Sequence, residues 1–313
     1  MNQVPETYRS HGKLLLTGEY VVLDAAISLA VPTTFGQTLN VRPIAESRLL
    51  WKSFDEQKQV WFEASFEFHE NSLKLASTSN ETISNRLLQI LLTAKHLNPD
   101  FLDSKSGFSV ETHLEFPSNW GLGSSSTLIN SIARWADVDA YKLLEDTFGG
   151  SGYDIACANA GSSLTYQLNS KMGRKISLVD FNPTFKSQLY FVHLNQKQNS
   201  REGIAQYRNN TSDKTASIER INAITREMVG CKTLNHFQKL MEEHEQIISD
   251  LIKMPPVKER LFADFNGAIK SLGAWGGDFV MVASETDPSA YFKSNGYHTM
   301  LRYSEMVTID GRR

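Results

Sequence analysis

Residues 117–127 read Pro117-Ser118-Asn119-Trp120-Gly121-Leu122-Gly123-Ser124-Ser125-Ser126-Thr127. An alternating apolar run, Phe108 to Phe116, leads in as a strand, and an amphipathic run from Thr127 to about Ala136 leads out as a helix. Between them two glycines let the backbone turn tightly and approach a ligand without a Cβ. The first amides of the following helix have no acceptor of their own and sit at the positive end of its dipole, so the turn is built to cradle an anion such as phosphate. Taken alone, Ser124 or Ser125 reads equally well as a plain N-cap. Two familiar phosphate motifs are absent. Gly12-Lys13 is followed by Leu14 rather than Ser or Thr, and Ser126 stands where a dinucleotide fingerprint needs its third glycine.

Around this stretch the chain is that of an ordinary globular protein. It has 313 residues, 41% hydrophobic and 21% charged, and carries a net charge of −3. That length suggests two domains, and the charge offers no attraction to nucleic acid or to an anionic membrane. Two cysteines, Cys157 and Cys231, are too few for a disulfide framework and suit a reducing cytoplasm. Met1 to His11 is polar, with no apolar core of a secretory signal, and the apolar run Leu14 to Val31 is interrupted by Glu19 and Asp24. The expectation is a cytoplasmic protein without a membrane span.

The first third reads as β. Lys13–Thr17 and Tyr20–Leu23 are short β-rich runs, followed by Gln37–Pro43, Leu49–Phe54 and Val60–Phe68 as antiparallel hairpins. Ile83, Leu87, Leu88, Leu91 and Leu92 give a helix over about Glu81 to His96. Ser151 reads as the cap of a helix that Gly161 stops. Strands Ile176–Asp180 and Leu189–Leu194 precede a largely helical stretch over 200–272, broken by Pro255-Pro256. Strand Phe279–Val282, a helix near Pro288–Ser294, and strands around Thr299–Tyr303 and Met306–Ile309 close the chain.

Four groups of residues have the chemistry to act on a phosphate. Asp154 stands three after Ser151, a capping-box spacing, and can equally take or orient the proton of an acceptor hydroxyl. Lys13 opens an apolar strand and reads either as a solvated lysine or as a cation facing a carboxylate or γ-phosphate. Glu19 is a turn acid or a partner of a magnesium-bound serine. The run Lys270-Ser-Leu-Gly-Ala-Trp-Gly-Gly-Asp278 reads as a helix end and tight turn, or as backbone free to approach a ligand.

In this order the pieces resemble the GHMP kinases, the family of galacto-, homoserine, mevalonate and phosphomevalonate kinases. Gly12-Lys13-Leu-Leu-Leu-Thr-Gly18-Glu19-Tyr20-Val-Val-Leu23 is similar to its N-terminal signature, and Pro117 to Ser125 to its P-x-x-x-G-L-G-S-S loop. Ser151-Gly-Tyr-Asp154 is similar to its catalytic-aspartate segment, and Gly273 to Asp278 to its C-terminal glycine motif. Tyr20 and the Ser-Gly-Tyr-Asp-Ile-Ala run resemble the mevalonate/phosphomevalonate branch, above all the bacterial GYDIA group named for Gly152 to Ala156.

The resemblance implies an α+β, two-domain fold. Residues 1–170 would be an ATP-binding domain like domain 2 of ribosomal protein S5, and residues 171–313 a ferredoxin-like domain. It implies a cytoplasmic transferase that moves the γ-phosphoryl of ATP to a small molecule, mevalonate or 5-phosphomevalonate, in isoprenoid precursor synthesis. Other acceptors (a sugar, homoserine), a diphosphomevalonate decarboxylase and a non-catalytic ATP-binding regulator are the alternatives. Gly121, Leu122, Gly123, Ser124, Ser125 and Ser126 would hold the ATP phosphates, with Ser125 as magnesium ligand and Glu19 behind it. Asp154 would be the catalytic carboxylate and Lys13 its cationic partner. Glu19, Tyr20, Gly276, Gly277 and Asp278 would meet the acceptor, and Lys197, Ser200 and Arg201 would add cations and a cap for a phosphorylated one. The expected partners are ATP, Mg2+ and the acceptor, with no nucleic acid or membrane, in a monomer or homodimer. The sequence departs from the family at Trp275, at Ala25-Ala26, and at Leu143, which stands where mevalonate kinases carry a second acidic magnesium ligand.

Overall fold

The structure, a computed structural model, describes residues 5–69, 72–102, 107–169, 173–196, 200–273, 275 and 277–308. The chain forms two compact units, and neither is one continuous stretch. The first comprises 1–12, 35–118 and 122–159; the second comprises 13–34, 119–121 and 160–313.

The first unit holds most of β1 (Glu6–Leu15), the far part of β2 (Ser28–Ile44), β3 (Arg48–Phe54), β4 (Val60–His69), β5 (Ser72–Thr78) and β6 (Gly107–Leu114). It also holds α1 (Glu81–Leu97), α2 (Ser124–Ala136), α3 (Ala140–Glu145) and α4 (Tyr153–Asn159). Its strands run in the order β5-β4-β3-β6-β2. The expected β3/β4 hairpin forms, antiparallel, but β2 and β3 are not partners. Strand β6 lies between them, antiparallel to β2 and parallel to β3. The core explains the insertion. Val110 of β6 pairs with Val41 on one side and Trp51 on the other, Trp51 pairs with Ala64, and all four are buried. Leu87, Ile90, Leu91 and Ala94 of α1 and Ile129, Ile132 and Ala133 of α2 complete that core. Asn80 caps α1 by accepting the Ile83 N–H at 3.1 Å, and Asn98 ends it.

The second unit takes the start of β2, the end of β1, and β7 (Leu164–Asn169), β8 (Gly173–Leu178), β9 (Leu189–His193), β10 (Ala268–Ser271), β11 (Phe279–Ala283) and β12 (Met300–Arg302). Its helices are α5 (Ser200–Asn209), α6 (Thr215–Gly230), α7 (Leu234–Ile252), α8 (Val257–Leu261), α9 (Ser289–Ser294) and α10 (Tyr303–Met306). Residues 28–30 pair with β7, which pairs with β8. The other four strands form an antiparallel sheet in the order β10-β11-β9-β12. With four helices between β9 and β10, a hairpin to β11, and α9 before β12, this is the split β-α-β arrangement of a ferredoxin-like sheet.

Three further sequence expectations, besides the β2–β3 pairing, differ from the structure here. Tyr20–Leu23 is no strand: Val21–Asp24 is a 3-10 helix. Gly18, Tyr20 and Ala25 hold φ of 87°, 62° and 64°, which ends extension on both sides, and the β-branched Val21 and Val22 serve packing instead. Lys270 stands in a strand rather than at a helix end. Of the strand expected over Met306–Ile309, Met306 ends a helical turn, Tyr303–Met306, Val307 makes an isolated bridge to Thr33, and Ile309 lies outside the described residues. Among the described residues no helix is long and apolar enough to cross a membrane.

Candidate functional site

In the first unit the stretch from Leu122 turns directly into α2. Gly123, at φ 88°, occupies the cap position, and its carbonyl accepts the Thr127 N–H at 3.0 Å. The helix therefore starts three residues earlier than the apolar pattern suggests, and neither Ser124 nor Ser125 is its cap. The three serines are its first three residues, whose amides find no acceptor within an α-helix. Their hydroxyls differ. Ser126 is buried and donates to the Gly123 carbonyl at 2.8 Å, whereas Ser125 is exposed. Leu122 is buried and anchors the turn. The Thr127 hydroxyl donates to Gln37 Oε1 at 2.8 Å, which ties the start of α2 to β2.

Asp154 is the second residue of α4. Gly152, at φ 87°, precedes the helix and accepts its first bond, from the Ala156 N–H at 3.2 Å. The cap position thus falls on Gly152, one residue past the Ser151 expected. Asp154 is half-buried, and its Oδ1 accepts the Ile155 N–H at 3.0 Å. α4 packs on α2, where the Asn130 amide donates to Ser10 Oγ at 2.9 Å and to Asn159 Oδ1 at 3.4 Å. Leu143 of α3 is fully buried in the core.

The second unit holds Lys13 and Gly121. The Lys13 ammonium donates to the Gly121 carbonyl at 2.9 Å. Gly121 is at φ 67°, and a Cβ there would collide with the Asp278 carboxylate. Asp278, itself at φ 53°, is held by its N–H to the Gln196 carbonyl at 2.9 Å and by its carbonyl to the Leu194 N–H at 2.8 Å. Beside them Trp120 meets Phe279 edge-on at 5.3 Å between ring centres, and His193 Nε2 donates to the Asn119 carbonyl at 3.3 Å.

Glu19 is enclosed. Only 1% of it is exposed, and Oε1 accepts from the Lys270 ammonium at 2.5 Å. Burial raises its carboxyl above the ordinary range, against the pull of Lys270. His244 Nε2 stands 3.3 Å from Glu19 Oε2 and accepts the Gly18 N–H at 2.9 Å. Burial, aided by Lys270, holds that imidazole well below its usual range, so it is neutral and the contact is not an ion pair. Glu245 accepts the Ser271 N–H at 3.1 Å and the Ser271 hydroxyl at 2.6 Å, and burial pushes it up to about 7. The Tyr20 hydroxyl accepts the Trp275 N–H at 3.2 Å, and burial pushes the phenol up to about 12. Its ring stacks on Tyr207, whose hydroxyl donates to Asp24 at 2.5 Å, and a Cβ on Gly203 of α5 would collide with it.

Of the remaining expected residues, Gly277 is buried. Gly276 and Lys197 lie outside the described residues, as do the side chains of Ser200 and Arg201 at the start of α5. Among the described residues no three His, Cys, Asp or Glu side chains gather as metal ligands. Lys270, His244 and Glu245 are the buried ionisable groups around Glu19 that sequence reasoning did not single out. A signal existed: His244 falls on the apolar stripe Phe237, Leu240, Met241, Ile248 and Leu251 of α7, where an ionisable residue is out of place.

No protein-family model matches the chain, and no curated protein sequence matches it significantly. Solved structures do. Mevalonate kinase from Methanococcus jannaschii superposes with a TM-score of 0.71 at 15% identity, over 99% of this chain and 100% of that one. Lactococcus lactis galactokinase, solved with galactose, gives 0.69 at 14% identity over 98% and 94%. Streptococcus pneumoniae phosphomevalonate kinase, solved with phosphomevalonate and AMPPNP, gives 0.65 at 17% identity over 95% and 99%. With the split β-α-β sheet of the second unit and the glycine-capped helix of the first, these likenesses show that the chain has the α+β fold of the GHMP kinases.

Proposed function

We propose that the protein is an ATP-dependent small-molecule kinase whose acceptor is mevalonate or 5-phosphomevalonate. The observation that carries this reading is the start of α2. A glycine cap leaves successive amides open, with an exposed hydroxyl at Ser125, and such a helix start suits a polyphosphate. The bound AMPPNP and phosphomevalonate of the pneumococcal structure support ATP as donor and an acceptor of this class.

In this reading Gly121 to Ser126 hold the phosphates. Asp154, in the first turn of its helix, takes the proton of an acceptor hydroxyl, as in mevalonate, or orients an acceptor phosphate, as in 5-phosphomevalonate, while the acceptor oxygen bonds to the γ-phosphorus and the bond to the β,γ-bridging oxygen breaks. Lys13 supplies positive charge to the transferred group; its bond to the Gly121 carbonyl fixes the ammonium beside the loop. The donor set fits magnesium, a hard ion that needs few protein oxygens: Ser125 Oγ would hold it beside phosphate oxygens and water, and it would neutralise phosphate charge. Asp278, Gly277 and Tyr20 belong to the acceptor side. We place the enzyme in the cytoplasm, in isoprenoid precursor synthesis.

The test is ADP release with mevalonate, 5-phosphomevalonate, its diphosphate, galactose and homoserine, with CO2 measured in parallel. Turnover on either of the first two supports the reading. Turnover on a sugar or homoserine alone corrects the acceptor, and CO2 release indicates a decarboxylase. Asp154→Asn should lower kcat by ~10²–10⁴-fold; full activity in that variant removes Asp154 from its role.

A further inference from the structure

Lys270, Glu19 and Glu245 form a buried charge cluster that none of these steps uses. All four residues of β10 are buried, and Lys270, at 0% exposure, donates to Glu19 Oε1 at 2.5 Å and to the Ser271 carbonyl at 2.9 Å. Glu19 faces it from the turn after β1; Glu245 and the neutral His244 face it from α7. A buried ion pair is an inefficient source of stability, because desolvation offsets the attraction, and its best-attested use is to fix register.

The contacts say which register. Gly18, Glu19 and Tyr20 are consecutive, and each is held by a different group: Gly18 by His244, Glu19 by Lys270, and Tyr20 by the Trp275 N–H. Lys270 stands in β10 and Trp275 in the turn that follows it; the Leu272 N–H closes the β10–β11 hairpin on the Phe279 carbonyl at 3.1 Å. At that same turn end, next to Phe279, the Asp278 carboxylate lies against the Cα of Gly121, whose carbonyl takes the Lys13 ammonium. One line of contacts therefore runs from Glu19 through the hairpin to Lys13.

We propose that Lys270 is a positioning residue for phosphoryl transfer: by pairing with Glu19 it sets the β10–β11 hairpin end against Gly121 and so fixes where the Lys13 ammonium stands. This rests on the reading of Lys13 as the cation of the reaction. Lys270 touches neither nucleotide nor acceptor; it acts through Glu19 and Asp278. Its loss should therefore show in the turnover number rather than in nucleotide affinity.

The experiment uses the full chain and three variants: Lys270→Met, Lys270→Arg, and the neutral pair Glu19→Gln with Lys270→Gln, which keeps a hydrogen bond and leaves no lone buried charge. Hydrogen exchange of peptides over 117–123 and 272–280 is measured beside kcat and the KM for ATP. In Lys270→Met, exchange should quicken in those two peptides and not in β9, with kcat down about 100-fold, the loss that a misplacement of ~1 Å brings, and the KM for ATP unchanged. Lys270→Arg should recover part of kcat. Wild-type exchange in both peptides, or an unchanged kcat, overturns the proposal. Faster exchange throughout β9 and β11 in both the Met variant and the neutral pair also overturns it, in favour of a merely structural pair. A wild-type protein that releases no ADP on any acceptor overturns the kinase reading instead, and the exchange arm then decides the clamp alone.

Discussion

Glu245 shows how a single enclosed carboxyl writes itself into the pH dependence of stability. Its ordinary value is 4.5 and burial pushes it up to about 7, with Lys270 and Ser271 pulling the other way. A carboxyl raised by folding binds its proton more tightly in the native state. Its favourable contribution is therefore full at low pH and is lost as pH rises through the folded value. His244 acts in the opposite sense: its folded value is depressed, so its contribution is lost as pH falls below 6.5. Replacing one group isolates its share. Wild type should lose stability relative to Glu245→Gln as pH rises from about 5 to about 7.5, then run level with it. Urea unfolding of both proteins across that range measures this, and parallel curves would show that Glu245 does not titrate in the fold.

Among elements, α2 illustrates what was legible and what was not. Its apolar face, with Ile129, Ile132 and Ala136, is periodic and readable, as are the strand before it and the two glycines. Its start was not, because Gly123 caps with its backbone alone, and the tie that holds the turn is the long-range bond from Thr127 to Gln37. Thr127→Val should leave Gln37 Oε1 buried without that donor and cost about 1–3 kcal/mol. Denaturant unfolding checks this, and an unchanged midpoint would show that Gln37 finds another partner. The 3-10 helix Val21–Asp24 was illegible for a related reason. Its sequence favours a strand, but tertiary contacts hold Tyr20 at positive φ by engaging its ring and hydroxyl, with Tyr207 and Trp275 far along the chain. Lys270 escaped for the same cause: nothing near it in sequence announces a carboxylate.

For the whole molecule, the GHMP fold was readable from four short motifs although identity to the solved structures is 14–17% for the three compared. The motifs are legible because their backbone is constrained, with Gly121 and Gly123 at φ 67° and 88°, whereas a core tolerates apolar residues of the right volume and so says less about the fold. If α2 receives ATP, the nucleotide stabilises the native chain by mass action, by about 2.7 kcal/mol at a concentration 100 times its Kd. The melting temperature should climb with the logarithm of ATP concentration in the presence of magnesium. A melting curve indifferent to ATP would remove the nucleotide from the proposed function.

The pairing of Glu19 with Lys270 also has a consequence in time. The partners are 251 residues apart. A ribosome adding ~5–20 residues per second makes Lys270 roughly 10–50 s after Glu19. Throughout that interval the Gly18–Tyr20 turn is on a nascent chain without the Lys270 ammonium and the Trp275 main-chain amide that later hold Glu19 and Tyr20. A turn made early is thus locked late, and this part of the second unit can close only after Lys270 has been made.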